Sequence, residues 1–422
     1  MKQQEIFRHA YTDMSTGLPN RHALFSKQCE IEDGSVLVVQ PSDFSKFVEM
    51  YGRKFGDELL SQLAYKLNKI SAVQFIAQFT SSSLALVIDV NHSSYAGLNV
   101  LFERITREVF HVMGNNIYIT LKVGVVLLKD EDTFEQAIRN AENALSVAKN
   151  NSGTQIIFYD DEMQEKLKKE LIILNELVEA IKNKEFQAYV QPKIEIYRGR
   201  ISSLEALARW ISPKLGFVSP GDFIPIAERA GLIREIDLQI FEQILIWMQK
   251  RQYEGKIIVP VSVNISPEHF YHRKFILGLL RLMRKYYADP KYIIIEVTES
   301  ISLVDIKRAQ EILVRLRVLG FQTSVDDFGV GYSSLTYLQK LAFTELKLDQ
   351  SFVRKINEAG TFAIVKSIQQ IGYHLQMNTV AEGVETKEQL QLIKNIGCDV
   401  VQGYYFYKPM SIEEIEKNNI LK

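Results

Sequence analysis

Two adjacent carboxylates, Asp326 and Asp327, stand in "SVDDFGVGYSSL", where an apolar, β-branched run meets a glycine- and serine-rich turn. Like charges about 4 Å apart repel by roughly 4 kcal/mol at an effective dielectric near 20. A cation is therefore expected beside them, or one acid keeps its proton. Other parts of the chain supply matching chemistry: Glu205, Asn264, Glu296 and Glu382 lie in or just after apolar runs, and Lys347 sits in "TELKLDQS". With the aspartate pair they make an all-oxygen donor set without His or Cys, which suits Mg2+ or Mn2+ rather than zinc. Five carboxylates exceed the need of one divalent ion. They point to two ions, about 3.5 to 4 Å apart and sharing an activated water, an arrangement that hydrolyses phosphate esters. On this reading Lys347 is a cation at the rim of the cluster, orienting the attacking water or stabilising charge. Arg209, four residues after Glu205, offers a fork of donors to a phosphate oxygen. Taken singly, each residue has a plainer reading. Asp-Asp-Phe-Gly has the composition of a turn, Asn264 neighbours a good N-cap at Ser266 before Pro267, and a lone lysine is usually solvated.

These groups need elements that bring them together. From Gln187 onward, eight β-like runs alternate with amphipathic segments: "QAYVQPKI", "ISSLEALARW", "KIIVPVSVNI", "YIIIEVTE", "FQTSVDD", "TELKLD", "QMNTVAE" and "CDVVQGYY". Near the C-terminal end of each stands a polar residue, in order Gln191, Glu205, Asn264, Glu296, Asp326, Lys347, Glu382 and Gln402. Eight such repeats match a (β/α)8 barrel, typically about 250 residues, whose catalytic groups collect at the C-terminal face of its strands. An open doubly wound sheet is the competitor. Ahead of this region, "DDEMQEKLKKELIILNELVEAIKNKEF" spaces Met163, Leu167, Leu171, Leu174, Val178 and Ile181 by threes and fours, which predicts an amphipathic helix with those residues on its apolar face. The division expected is a first domain over 1–162 and a second over 163–422.

Bulk properties exclude several classes. The 422 residues are 46% hydrophobic and 24% charged, ordinary for a globular protein of two or three domains. Fifty basic against 51 acidic residues leave a net charge of -1, without the basic field that duplex nucleic acid requires, although a nucleotide-sized ligand remains compatible. Cys29 and Cys398 are far apart and outside any CxxC pattern, so neither a disulfide framework nor a zinc site is indicated, and a reducing cytoplasm fits. No apolar run approaches the roughly 20 residues of a membrane span. The start lacks the apolar core of a signal peptide, and "EIFRHAY" reads as the end of a helix entering the first domain.

Residues 163–422 resemble the EAL family of cyclic di-GMP phosphodiesterases through "QPKI", "EALARW", "FIPIAE", "VNIS", "EVTES", "DDFGVGYSSL", "LKLD", "AEGVE" and "QGYYF". The resemblance implies a TIM-like barrel that opens one phosphodiester of cyclic di-GMP to give linear pGpG. It assigns Glu205, Asn264, Glu296 and Asp326 to one metal, and Asp326, Asp327 and Glu382 to the other. It further implies that Lys347 acts on the attacking water, that Arg209 contacts phosphate, that Gln402 stands beside the metals and that Gln191 lies on the substrate side. Glu299 matches a glutamate that tethers the loop after the aspartate pair, which begins at Gly329 and Val330 and is associated in the family with dimer contacts and control. Val330 replaces a usual threonine and Ser212 a common histidine. A catalytically silent cyclic di-GMP receptor is the alternative reading.

Residues 12–160 are similar to the GGDEF family of diguanylate cyclases through "TDMSTGLPNR", "YGRKFGDELL" and "NAENALSVAKNNSGTQIIFYD". That implies an α+β nucleotide-cyclase-like fold. Where the signature hairpin belongs, Thr80, Ser81, Ser82, Ser83 and Leu84 supply neither its glycines nor its acids. Gln40 and Val48 replace a metal-binding aspartate and a guanine-reading asparagine, Asp57 is kept, and Ser71 and Gln74 occupy the inhibitory-site positions. Without carboxylates to hold Mg2+ on a nucleoside triphosphate, synthesis is not expected. The domain is expected to regulate, through GTP or a protein partner, or to dimerise.

Overall fold

The computed structural model describes residues 10–26, 34–89, 94–128, 133–149, 153–299, 301, 305–329 and 335–421. The expected N-terminal helix end, Cys29 and Val330 lie wholly or largely outside them. The chain divides into two compact units, Met1–Lys169 and Glu170–Lys422.

The first unit is built on a five-stranded sheet of β1 (Ser35–Pro41), β2 (Val73–Thr80), β3 (Ser83–Ile88), β4 (Leu121–Leu127) and β5 (Gln155–Phe158), in the order β2-β3-β1-β4-β5. Only β4 and β5 run parallel; the other pairs are antiparallel. Successive residues of a strand face opposite sides, and β1 uses both. Leu37 and Val39 join Leu59, Leu63 and Leu67 of α1 (Arg53–Asn68), whereas Val36 and Val38 join Ile138, Ala141 and Leu145 of α2 (Phe134–Lys149). A Cβ at Gly124 would lie 2.0 Å from the Ala141 carbonyl, so a glycine is needed for α2 to lie against β4.

In the second unit, β6 (Phe186–Glu195), β7 (Ile201–Ser212), β8 (Val261–Asn264), β9 (Ile293–Thr298), β10 (Gln322–Phe328), β11 (Glu345–Leu348), β12 (Asn378–Ala381) and β13 (Val400–Val401) follow one another around a closed barrel. Pairing of β6 with both β7 and β13 closes it, which excludes the open sheet. Six of the eight polar positions picked out above lie in the strands, and Glu382 and Gln402 directly follow β12 and β13, but the barrel is not wholly parallel: β6 runs antiparallel to both neighbours. The cause is the link of residues 196–200, far shorter than the dozen or more residues that a parallel crossover takes. Gln191 and Glu205 consequently lie in mid-strand rather than near the C-terminal end, and they pair in register with each other.

Helix α3 (Asp161–Asn183) forms as the periodicity predicts, yet it buries a different stripe. Ile173, Leu177 and Ala180 enter the barrel core with Ile181 beside them, while Leu171, Leu174 and Val178 are exposed. Both sets recur at helical spacing, so the barrel wall chooses between them. No helix among the described residues is long and apolar enough to cross a membrane.

The C-terminal helix, α4 here (Ile412–Lys417), is tied to the long helix Ile233–Tyr253 through one carboxylate. Glu416 accepts hydrogen bonds from Trp247 Nε1 at 2.8 Å, from Lys256 Nζ at 2.9 Å and from Arg251 Nη1. Burial alone would raise its pKa, but these donors outweigh burial and bring it down to about 2. A depressed carboxylate stabilises the fold above its unfolded pKa and loses that contribution as pH falls through the folded value. Glu416→Gln should therefore cost about 1–3 kcal/mol at pH 7. Urea unfolding at a series of pH values should show the gap to wild type closing between about 4.5 and about 2; a pH-independent gap would refute the ion-pair account.

Candidate active site

Residues two apart on a strand share a face, so the barrel strands present polar side chains to the interior in two tiers. The deeper tier was not anticipated from the sequence. Lys193 Nζ, fully buried, donates to Ser262 Oγ at 2.9 Å, Glu345 Oε1 at 2.8 Å and Glu296 Oε2 at 3.4 Å, and Ser324 Oγ donates to Glu345 Oε1 at 3.0 Å. The sequence signal was alternation: Lys193 follows Gln191 by two, and Glu345 precedes Lys347 by two.

The upper tier centres on Lys347. It is not at the rim, as expected, but 1% exposed, because every residue of β11 is buried inside the barrel wall. Its ammonium contacts Glu296 Oε1, Glu382 Oε1 at 2.6 Å, Asp326 Oδ1 at 3.0 Å and Glu205 Oε1 at 3.6 Å. Burial alone would lower the Lys347 pKa, but the four acids drive it well above its ordinary value. Burial pushes the Glu382 carboxyl well above its range, and Asp326, Glu205 and Glu296 add to this against the pull of Lys347. Partial burial also raises the exposed Asp327, with Asp349 contributing.

Two amides complete the ring. Asn264 Nδ2 donates to Glu205 Oε1 at 3.0 Å, and Gln402 Nε2 donates to Glu205 Oε2 at 2.6 Å and Gln191 Oε1 at 2.9 Å. Gln191 Nε2 in turn donates to the Tyr407 carbonyl at 2.9 Å. Gln402 Oε1 is buried without a partner, an acceptor left for a ligand.

The adjacent aspartates share this site through a β-bulge. Val325 pairs with Leu346 and Phe328 with Leu348, so Asp326 and Asp327 together oppose Lys347 alone. The strand continues past the pair to Phe328 instead of ending there. Asp327 has φ 54°, a left-handed conformation unusual for a residue with a Cβ. Its N–H donates to Asp326 Oδ1 at 2.9 Å. In consequence Asp326, Asp327 and Glu382 each bring an oxygen within 4.8 Å of the others, and Glu205, Glu296 and Glu382 form a second such group. Among the described residues Glu205, Glu296, Asp326, Asp327, Glu382 and Glu345 outnumber the two lysines that contact this group, Lys193 and Lys347, while Arg209 and Arg354 stand on the wall of the same opening. Divalent cations would offset this excess of acid, and an all-oxygen donor set fits Mg2+ or Mn2+.

Arg209 borders two openings near this centre. One, of about 280 Å3, includes Gln191, Lys347, Gln402 and Tyr404; the other, of about 590 Å3 and mostly apolar, includes Asn264, Glu296 and Asp327. Arg209 Nη1 donates to the Ala208 carbonyl at 2.9 Å, and no carboxylate binds its fork among the described residues. Glu299 Oε2 accepts the Gly329 N–H at 3.2 Å, and Glu299 N–H donates to the Asp326 carbonyl at 3.2 Å. Gly329 has φ 97°, and a Cβ there would lie 2.9 Å from the Phe352 ring.

In the first unit, Thr80 and Ser83 pair across a tight turn at Ser81 and Ser82, so a hairpin does form. Thr80 Oγ1 meets Ser83 Oγ at 2.6 Å and accepts the Ser82 N–H at 3.2 Å. Leu84 is buried in the core, and no carboxylate stands in the turn.

A family model described as "EAL domain" matches residues 174–409, and one described as "Diguanylate cyclase, GGDEF domain" matches residues 10–155. The bifunctional diguanylate cyclase/cyclic di-GMP phosphodiesterase MucR of Pseudomonas aeruginosa is 29% identical over 98% of this chain and 62% of its own length. The cyclic di-GMP phosphodiesterase PdeR of Escherichia coli is 31% identical over 98% of this chain and 64% of its own. The chain thus spans less than two thirds of either relative. A solved structure of the PaMucR phosphodiesterase in complex with c-di-GMP aligns with TM-score 0.56 and 33% identity, over 58% of this chain and 99% of that one. The S helix-GGDEF-EAL portion of Vibrio cholerae LapD aligns with TM-score 0.59 and 21% identity, over 96% and 98%, a likeness of fold.

Removal of the central ammonium exposes the excess of acid. Lys347→Met in the presence of a chelator should lose about 3–5 kcal/mol of stability at pH 7, the cost of uncompensated buried charge. Mn2+ should restore most of it. Equal urea midpoints for variant and wild type in chelator would contradict the arrangement.

Proposed function

We propose, because this chain belongs to the EAL domain family and carries a GGDEF domain ahead of its barrel, that the second unit hydrolyses cyclic di-GMP to linear pGpG. The observation that carries this reading is the pair of carboxylate groups around Lys347, Glu205 with Glu296 and Glu382, and Asp326 with Asp327 and Glu382, each group with oxygens within 4.8 Å of one another. Glu205, Asn264, Glu296 and Asp326 would hold one ion, and Asp326, Asp327 and Glu382 the other. Such ions, when bound, supply Lewis acidity at a phosphoryl oxygen and acidify the attacking water.

The chain's own residues do the rest. Lys347 enters as an ammonium, since its surroundings raise its pKa, so Nζ donates a hydrogen bond to the attacking water and balances negative charge. Glu205 and Glu382, both touching Nζ, fix its direction. Water oxygen forms the new bond to phosphorus and gives up a proton as the P–O3′ bond breaks, and the departing O3′ takes up one proton, so the proton count balances and a 5′-phosphomonoester is left. Arg209 is positioned to grip a non-bridging phosphate oxygen with its paired donors, while Gln191 and Gln402 contact substrate beside the ions. Glu299, through Gly329 and the loop that continues at Val330, links the aspartate pair to control of activity. A homodimer formed through the EAL domain fits that control.

The first domain, over 1–162, is assigned a regulatory role without cyclase chemistry. The serines of its turn cannot replace acids as metal ligands. Its input is GTP or a protein partner.

Purified full chain, cyclic di-GMP and Mg2+ or Mn2+ should yield pGpG on chromatography. Glu205→Ala should lower turnover by about 100-fold or more, and Ser82→Ala should leave it within about twofold, as expected of a surface change remote from such features. Saturable binding without product, with either ion, would make the barrel a receptor instead.

A further inference from the structure

The catalytic openings do not account for a third cavity, of about 320 Å3, on the outside of the barrel. Its wall holds Arg234, His269, His272, Arg273 and Lys274, with Glu235 as its single carboxylate among the described residues. The residues come from two places: Arg234 and Glu235 open the helix Ile233–Tyr253, and His272, Arg273 and Lys274 lead into the helix Phe275–Lys285.

Donors outnumber acceptors here. Arg234 Nη2 donates to Glu235 Oε1 at 2.6 Å, and Glu235 Oε2 is buried without a partner, a free acceptor set against the donors of two arginines and a lysine. Arg234 Nη1 faces His272 Nε2 at 3.1 Å, and the Lys274 N–H faces His272 Nδ1 at 3.3 Å. A neutral imidazole accepts at one nitrogen only and carries its proton on the other, so one of these two N–H groups lacks an acceptor. Neither the Arg273 nor the Lys274 side chain has an ion-pair partner among the described residues. Desolvation and the charges of Arg234, His269, Arg273 and Lys274 hold the His272 pKa below its usual value, as a positive field requires.

We propose that this cavity binds a phosphoryl oxyanion, either free phosphate or the phosphomonoester end of a nucleotide. A tetrahedral oxyanion is all acceptor and meets the surplus of donors, and guanidinium and ammonium groups are the side chains that best hold it. The cavity shares no lining residue with either opening at the catalytic centre. His269 Nδ1 lies 3.2 Å from Asp237 Oδ2, which also accepts Ser266 N–H at 3.1 Å and Ser266 Oγ at 2.8 Å, two residues after Asn264.

The test is calorimetric titration of the full chain with inorganic phosphate in the presence of a chelator, where no turnover occurs. Saturable binding is expected, with His272 titrating at a higher pH by NMR once phosphate is bound. Arg234→Gln/Lys274→Gln should weaken binding by about tenfold or more, and the exposed single change Lys274→Gln should weaken it in the same direction. Glu205→Ala, in the metal centre, should leave it within about twofold, as distant independent sites do. Competition by 5′-GMP at equal or tighter affinity would assign the phosphoryl group to a nucleotide, and its failure to compete would assign free phosphate. Absence of saturable heat, or binding that survives both cation substitutions in variants with wild-type urea midpoints, would overturn the proposal. So would binding lost in Glu205→Ala. None of these outcomes depends on cyclic di-GMP hydrolysis.

Discussion

A single ammonium at the centre of a closed barrel, Lys347 Nζ, touches four carboxylates, and the rest of the second unit is arranged around that contact. Burying a charge is unfavourable unless it is paired and hydrogen-bonded. Lys347 is therefore stable in the interior only because β7, β9, β10 and the end of β12 each bring an acid to it. Below it, Lys193 repeats the device with Glu345 and Glu296, so that Glu296 is held between two lysines. The two lysines remain fewer than the acids they contact, which leaves the carboxylates of the mouth grouped closely enough to hold a metal ion.

The backbone serves the same end. A regular strand would send Asp326 and Asp327 to opposite faces; the bulge at this position, with Asp327 in the left-handed region, brings both carboxylates to one site. The reversed first strand acts comparably at the other side of the barrel, since it sets Gln191 opposite Glu205 and lets one amide of Gln402 bridge them. Glu299 binds the chain at the Asp326 carbonyl and at the Gly329 N–H, so the backbone from the aspartate pair to Gly329 is held by one residue.

Polar residues embedded in apolar β-like runs made the barrel and the membership of its centre readable from the sequence. Such residues survive in a core only by meeting partners. Directions and depths were less readable. The antiparallel course of β6 was implicit in the shortness of residues 196–200, and the lower tier was implicit in the two-residue alternation from Gln191 and Lys347. The depth of Lys347 follows from tertiary pairing, because composition alone favours a solvated lysine. For α3, two helical stripes of similar apolarity competed, and the barrel surface, which periodicity does not describe, decided in favour of Ile173, Leu177 and Ala180. In the first unit a two-serine turn took the place of a glycine hairpin, with the Thr80 hydroxyl holding it closed.

Occupancy of this acidic centre by a pair of divalent cations around Lys347 is what the proposed hydrolysis requires. Mn2+ titration of the full chain, followed by electron paramagnetic resonance, tests it most directly. Two ions per chain with the signature of a magnetically coupled pair are predicted, as expected for centres about 3.5 to 4 Å apart. A single isolated ion, or Mn2+ that remains free in solution, would contradict the account.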